Sequence, residues 1–329
     1  MVETSVKVSR LEWVDWMKAL GIYLVVLGHF YFVGDKFIYV FHVPLFFLIS
    51  GFLCKRECDR WVFWKKLWYN LIVPMLIIAT LNFTFHCIQQ ILQKSFNPIE
   101  IYWFVRNVVF GMASGYDSLW FVYTLIVLKI IFQYSVSNKL FYSLTLVMLA
   151  FAYIFNNFDH SGSPFFLNEP NSVVDVLTAS PFFALGVYVR DYRFLLNEWN
   201  QKIILGLIVV FGFILVSFCW SYNGIVGLYR CDYGGNMLLF LLGGISGSIM
   251  IFAVSKLLGH VSAFVAVISR GTIIILGFHK LFIYRIGLFF PPSYLDIVFA
   301  ALIVFLFVPI IIMVERYFPL MAGRYRIKK

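Results

Sequence analysis

The chain reads as an all-α, polytopic membrane protein of about ten transmembrane helices in one bundle. Three observations carry that reading. Of its 329 residues 62% are apolar and only 13% charged, and mean hydropathy is +0.88, a balance no water-soluble domain has. Several apolar runs approach or exceed the 17 to 20 residues that cross a bilayer's hydrocarbon core, where only helices and closed barrels satisfy the backbone. The third is the placement of charge. With Met1 inside, 20 of the 26 Lys and Arg residues fall on the cytoplasmic side and six on the other, which predicts cytoplasmic termini and an even number of spans.

Hydropathy predicts spans near 17–33, 37–54, 67–91, 117–134, 139–156, 173–190, 203–221, 235–255, 271–288 and 295–314. The stretch "PIEIYWFVRNVVFGMASG" at 98–115 is apolar but short and holds Glu100 and Arg106, so it reads as an interfacial or re-entrant helix. The first span is expected to stay in the protein, because its apolar run ends in "VGDKF" without a small-x-small cleavage site. No second domain, flexible linker or internal repeat interrupts residues 1–329, which read as a single integral-membrane domain. The net charge of +10 is mostly the cytoplasmic bias and needs no nucleic acid to explain it. Cys54, Cys58, Cys87, Cys219 and Cys231 show neither a disulfide framework nor metal-ligand spacing with His, so no metal is expected.

The chemistry concentrates in the first two spans. In "LVVLGHF" an imidazole, His29, closes an otherwise apolar run eleven residues after Lys18. Eleven residues at 100° each bring the two side chains to within about 20° of one helix face, about 16 Å apart along the axis. Asp15 lies close to that face and reads as a holder of Lys18 and the cytoplasmic end. Ionisable groups inside spans are costly and face the bundle interior or a wet cavity, so His29 is a candidate catalytic residue. A second histidine follows in "IYVFHVPLFFLISGFLCKR", where His42 and Pro44 open span two and Ser50 and Gly51 occupy its inner half. Gly and Ser also permit close helix approach, the plain packing explanation of "SGF". "LLGGISGS" at 241–248, with small residues four apart, reads as packing in the same way.

These stretches carry a family resemblance. "RLEWVDWMKALGIYLVVLGHF" at 10–30 resembles the first span of the membrane-bound acyltransferase 3 family, in which ten residues separate an Arg from the catalytic His; here ten residues, Ala19 to Gly28, separate Lys18 from His29, so the helical phase is kept with a lysine in place of the guanidinium. "FHVPLFFLISGFL" is similar to the family's second span, "SLWFVYTLI" at 118–126 to its L-W-F-L stretch, and "ILGFHKLFI" at 275–283 to its late aliphatic-His-x-aliphatic span. The nearest flavour is that of small sugar O-acetylases of the fucose acetylase type.

The resemblance implies an O-acyltransferase. It would carry an acyl group, usually acetyl, from acetyl-CoA or another acyl-CoA to a hydroxyl of an envelope or exported glycan, in a bacterial cytoplasmic (inner) membrane. Acyl-CoA would be a donor substrate rather than a resident cofactor, and a carbohydrate and the lipid bilayer would be the other partners. Coenzyme A is polyanionic, which suits the cationic rim of Arg10, Lys18, Lys55 and Arg56, with Asp15 among them. Its thin pantetheine arm suits a channel along the Lys18–His29 face. His29 would act as general base on the acceptor hydroxyl, since imidazole titrates near neutrality; a covalent acyl-histidine is the other open route. His42, Ser50, Arg106, Trp120, Tyr123 and the intramembrane His279 are candidates for the acceptor or cavity wall, and the polar stretch "NFDHSGSPFFLNEPNS" at 157–172 for a glycan rim. The rival reading is a transporter or flippase of a lipid-linked glycan with His29 as a proton relay. A sugar-wide path would need polar residues in many spans, whereas spans five, seven and ten are almost wholly apolar.

Overall fold

A computed structural model describes residues 10–30, 34–111, 119–157, 172–291 and 293–324. The chain termini and most of the expected glycan rim at 157–172 lie outside these residues. In chain order the helices are α1 (Glu12–Gly28), α2 (Asp35–Tyr39), α3 (His42–Leu53), α4 (Arg60–Leu67), α5 (Val73–Leu92), α6 (Ile99–Phe110), α7 (Trp120–Tyr134), α8 (Asn138–Asn157), α9 (Ser172–Arg190), α10 (Arg193–Glu198), α11 (Lys202–Asn223), α12 (Met237–Leu258), α13 (Ala263–Arg270), α14 (Thr272–Gly287) and α15 (Asp296–Tyr317). Among the described residues the one extended pairing is an isolated bridge between Gly227 and Asp232. The chain is thus an all-α, multi-pass membrane protein.

Each expected span overlaps a helix. Among the described residues six stretches can cross a bilayer by length and composition: Lys36–Leu53, Arg60–Leu92, Asn138–Asn157, Lys202–Asn223, Met237–Leu258 and Asp296–Tyr317. Helices α13 and α14 form an apolar pair bent by 82° at Gly271, a broken span or a re-entrant loop. The glycine is needed there: a Cβ on it would fall 2.3 Å from the Ile311 side chain. At 12 residues, about 18 Å of helix, α6 is too short to cross. It stops where Gly111 takes a left-handed φ of 64°, a conformation glycine adopts without strain.

Two boundaries depart from the hydropathy windows. Helix α1 starts five residues before its window and ends at Gly28, so His29 caps its C-terminus instead of lying mid-helix. Glu12, Asp15 and Lys18 lower the hydropathy average yet are ordinary helix residues. Helix α5 continues backwards through a π turn, Trp68–Ile72, into α4. Pro74 has no N–H to give Asn70, and the Val73 N–H reaches Trp68 O, five residues back, so the wider turn keeps the helix going.

Helix α1 is the hub. It packs against α2, α3, α12, α13, α14 and α15, and Met17, Ile22 and Val26 are almost wholly buried. Helices α3 and α9 come together even more closely, through glycine. A Cβ on Gly51 would fall 2.0 Å from Phe183 O, and one on Gly186 2.0 Å from Leu48 O, so the two backbones touch reciprocally. The "SGF" element is therefore a packing device on its Gly51 side. "LLGGISGS" is another, with Gly244 against the Phe182 ring and Gly247 against Phe41.

Gly51→Val or Gly186→Val forces α3 and α9 apart and is expected to cost at least about 1–3 kcal/mol, the usual penalty for overpacking. The measurement is thermal unfolding of purified protein in detergent. A wild-type melting curve for both variants would mean that the two backbones do not touch.

Candidate active site

The face predicted from helical phase is a real one. Lys18, Ile22, Val25 and His29, spaced by four, three and four residues along α1, line one wall of a cavity of about 270 Å³. The second wall is a stripe of α3, Val43, Phe46 and Ser50, and the third a stripe of α7, Val122, Leu125 and Lys129. Trp120 at the start of α7 and Thr272 at the start of α14 also reach it. Each stripe repeats at three or four residues because only that spacing returns a helix to the same face. The cavity is mostly hydrocarbon, with two lysines toward the basic end of the bundle and an imidazole toward the other.

His29 is held by its own helix. Its Nδ1 stands 2.7 Å from Val25 O. A carbonyl can only accept, so Nδ1 carries the proton and Nε2 is the basic nitrogen of the neutral ring. The His279 ring lies against it, edge to face, with centroids 4.8 Å apart. His279 is fully buried, and its Nδ1 donates to Ile275 O and Leu276 O at 2.9 and 3.0 Å. Its Nε2 has no hydrogen-bond partner among the described residues. Two imidazoles thus lie together, each with its Nδ1 committed to a backbone carbonyl.

The other sequence candidates separate into groups. Arg10 pairs through Nε with Asp15, whose second oxygen accepts from Ser269 Oγ at 2.5 Å. That hydrogen bond, with the carboxylate charge beside it, raises the Arg10 pKa above its ordinary value. Asp15 therefore clamps α1 to α13, and neither it nor Arg10 lines the cavity. Lys55 and Arg56 line a separate cleft beyond Leu53. His42 is buried at the α2–α3 junction, with Nδ1 donating to Ile38 O at 2.8 Å and its ring edge-on to Tyr39. Tyr123 packs in the apolar cluster around Met75, Leu119 and Val122, and the Arg106 guanidinium stacks 4.2 Å over Trp103; neither is in the cavity wall.

Lys129 is the site residue that charge counting misses, because the positive-inside rule absorbs it as a cytoplasmic lysine. The usable signal is its phase: it lies seven residues after Val122 and four after Leu125 in an otherwise apolar helix. Its ammonium reaches Cys54 Sγ at 3.8 Å, where α3 ends. Among the described residues no group of His, Cys, Asp and Glu could hold a metal ion.

The cavity inside the bundle thus ends at His29, with the His279 ring against it. The model of the acyltransferase 3 family, described as an acyltransferase domain, matches residues 11–316, and the chain belongs to that family. No curated protein and no solved structure matches the chain. The protein is an acyltransferase, and the matched span contains His29, the His279 against it, and both cavity lysines.

Asp15→Ala leaves the buried Ser269 hydroxyl without its acceptor and removes the carboxylate partner of Arg10, and is expected to lower stability by about 1–3 kcal/mol. Lys18→Ala, which removes a cavity-lining ammonium, is expected to shift the melting temperature less. Paired thermal melts in detergent check both. Equal destabilisation by the two would remove the distinction between clamp and cavity wall.

Proposed function

We propose that the protein transfers an acyl group, acetyl in the first instance, from cytoplasmic acyl-CoA to a hydroxyl of an envelope or exported glycan, with His29 as general base. The observation that carries this reading is the cavity itself, narrow and apolar, with Lys18 and Lys129 at one end and His29 at the other. A pantetheine arm is long, thin and uncharged over most of its length, so an apolar slot suits it; the cations suit the phosphates behind it. The basic end then faces the cytoplasm of a bacterial inner membrane, where acyl-CoA is made.

His29 Nε2 takes the proton of the acceptor hydroxyl as that oxygen attacks the thioester carbonyl. The new C–O bond forms, the C–S bond breaks, and the coenzyme A sulfur leaves as a thiolate that recovers the proton from the imidazolium. His279 lies against the ring on which that charge develops. Its Nε2, an acceptor, is suited to orient the hydroxyl or to share the proton. Ser50 and Trp120 border the reacting groups, and Lys18 neutralises phosphate in the role the family gives to an arginine. A cavity of about 270 Å³ is small for the sugar path that a flippase needs.

The test is transfer of radiolabelled acetyl from acetyl-CoA to a panel of envelope glycans by purified protein in detergent. His29→Ala is expected to lower the rate by about 10²–10⁴-fold, the usual contribution of a positioned base, and His279→Gln by less. Wild-type turnover by His29→Ala would sink the mechanism. Failure of the wild type to use any acyl-CoA, with glycan movement in vesicles that depends on His29, would favour the transporter.

A further inference from the structure

On the acyl-CoA reading the donor's arm fills the slot, so a bulky acceptor can bring only one hydroxyl to His29. The rest of it must lie against whatever surrounds the outer mouth. Trp120 marks that mouth. It reaches the slot nine residues, about 14 Å of helix, before Lys129, and so stands at the imidazole end. Against its ring lies that of Tyr229, with centroids 6.0 Å apart and planes at 48°. Tyr229 comes from a distant part of the chain, the segment 224–236 that joins α11 to α12.

A tyrosine at a membrane surface is commonplace by itself. This one is carried by a built structure. Gly227 and Asp232 pair as an antiparallel bridge, exchanging backbone hydrogen bonds of 3.0 and 3.2 Å. Between them Leu228–Arg230 form one tight turn, and Cys231 closes it at a φ of 56°, a left-handed conformation uncommon for a residue with a side chain. Such a conformation persists only where its surroundings over-determine it, and it is enriched at ligand sites.

The surroundings do so here. Gly234 N donates to Asp232 Oδ1 at 2.8 Å. Asn223, the last residue of α11, donates to Tyr233 O at 2.7 Å and accepts from Asn236 N at 2.6 Å, which ties the segment to the helix it leaves. Two further helices hold it from beneath. Thr178 Oγ1 of α9 donates to Leu228 O at 3.4 Å, and Asn157 Nδ2 of α8 donates to Tyr233 OH at 2.8 Å. Val226, Leu228, Cys231 and Tyr233 are buried, whereas Tyr229 among them is only half-buried, with its ring at Trp120.

Two half-buried aromatic rings, tilted to each other and fixed by their supports, suit one chemical class well. A sugar ring has flat faces of C–H groups, slightly positive and apolar, edged by hydroxyls. The faces of Trp and Tyr rings are apolar and slightly negative.

We propose that Tyr229, presented by the 224–236 segment, forms with Trp120 a platform on which the acceptor's sugar ring rests, and that Tyr229 thereby sets which acceptor is used. The proposal rests on the acyl-transfer reading above and adds to it a specificity-determining residue that no sequence motif contains.

The test measures acetyl transfer from acetyl-CoA to p-nitrophenyl β-galactoside, to p-nitrophenyl α-fucoside and to hydroxylamine, by purified protein in detergent. Wild type is compared with Tyr229→Ala, Tyr229→Phe and, as a control, Tyr222→Ala, which removes an exposed ring at the end of α11. Tyr229→Ala is expected to raise KM for the glycosides roughly tenfold, the worth of one aromatic face. KM for acetyl-CoA should stay near wild type. So should transfer to hydroxylamine, which is too small to rest on the platform and also reports that the variant is folded. Tyr229→Phe keeps the ring and should keep the glycoside KM, as should Tyr222→Ala. An unchanged glycoside KM in Tyr229→Ala overturns the platform and leaves acyl transfer standing; a wild type that acetylates hydroxylamine but neither glycoside does the same. Equal losses on glycosides and hydroxylamine make Tyr229 a packing residue and overturn the platform too. A wild type that acetylates none of the three removes the acyl-CoA reading and the platform together.

Discussion

The structure is organised by one constraint, that ionisable side chains cannot face lipid without a large cost. Helix α1 carries Asp15, Lys18 and His29, and the fold answers by surrounding it with α2, α3 and α12 to α15. The three groups are then disposed of separately. Asp15 is paired with Arg10 and accepts a hydrogen bond from Ser269 at the basic end, and Lys18 and His29 are turned into a cavity. Because six helices pack around α1, the outer helices can be as apolar as lipid requires. Helix α11 is the plainest case, with Leu207, Phe211 and Ile214 exposed on its outer side.

Close approach does the rest. Gly51 and Gly186 let α3 and α9 touch, which fixes α3 against a rigid neighbour and turns its other side, with Val43, Phe46 and Ser50, into the cavity. The same contact carries the chain end at Cys54 to Arg190, so the joint that packs the bundle also sets two basic regions side by side. A polar group in such a slot works in surroundings of low dielectric. There, charge on an imidazole or a lysine has more effect on a developing negative charge than it would in water, and the geometry is set before the substrate arrives.

Much of the site was legible because helical phase is a property of sequence alone. Lys18 and His29 eleven residues apart share a face in any α-helix, and the structure keeps that face in the cavity wall. Ser50 and Trp120, chosen for chemistry and motif, reach the same cavity, whereas His42, Arg106 and Tyr123, chosen on equal grounds, do not. Nothing in one helix's pattern says which neighbour it will face. Helix boundaries were blurred for a related reason: hydropathy weighs residues by their liking for oil, and Glu12 and Lys18 are polar yet helical.

The sequence by itself determined that the chain lives in a membrane as helices, that His29 and Lys18 share one face, and which family motifs it carries, since periodicity, composition and local pattern need no partner. Only the tertiary structure decided that His279, 250 residues further on, lies against His29, that Lys129 joins Lys18, that Asp15 belongs to a clamp, and that the basic residues of α3, α9 and α10 enclose a cleft. Those are distances between helices, set by how glycines, aromatics and a bend at Gly271 let the helices pack, and packing is a property of the whole chain.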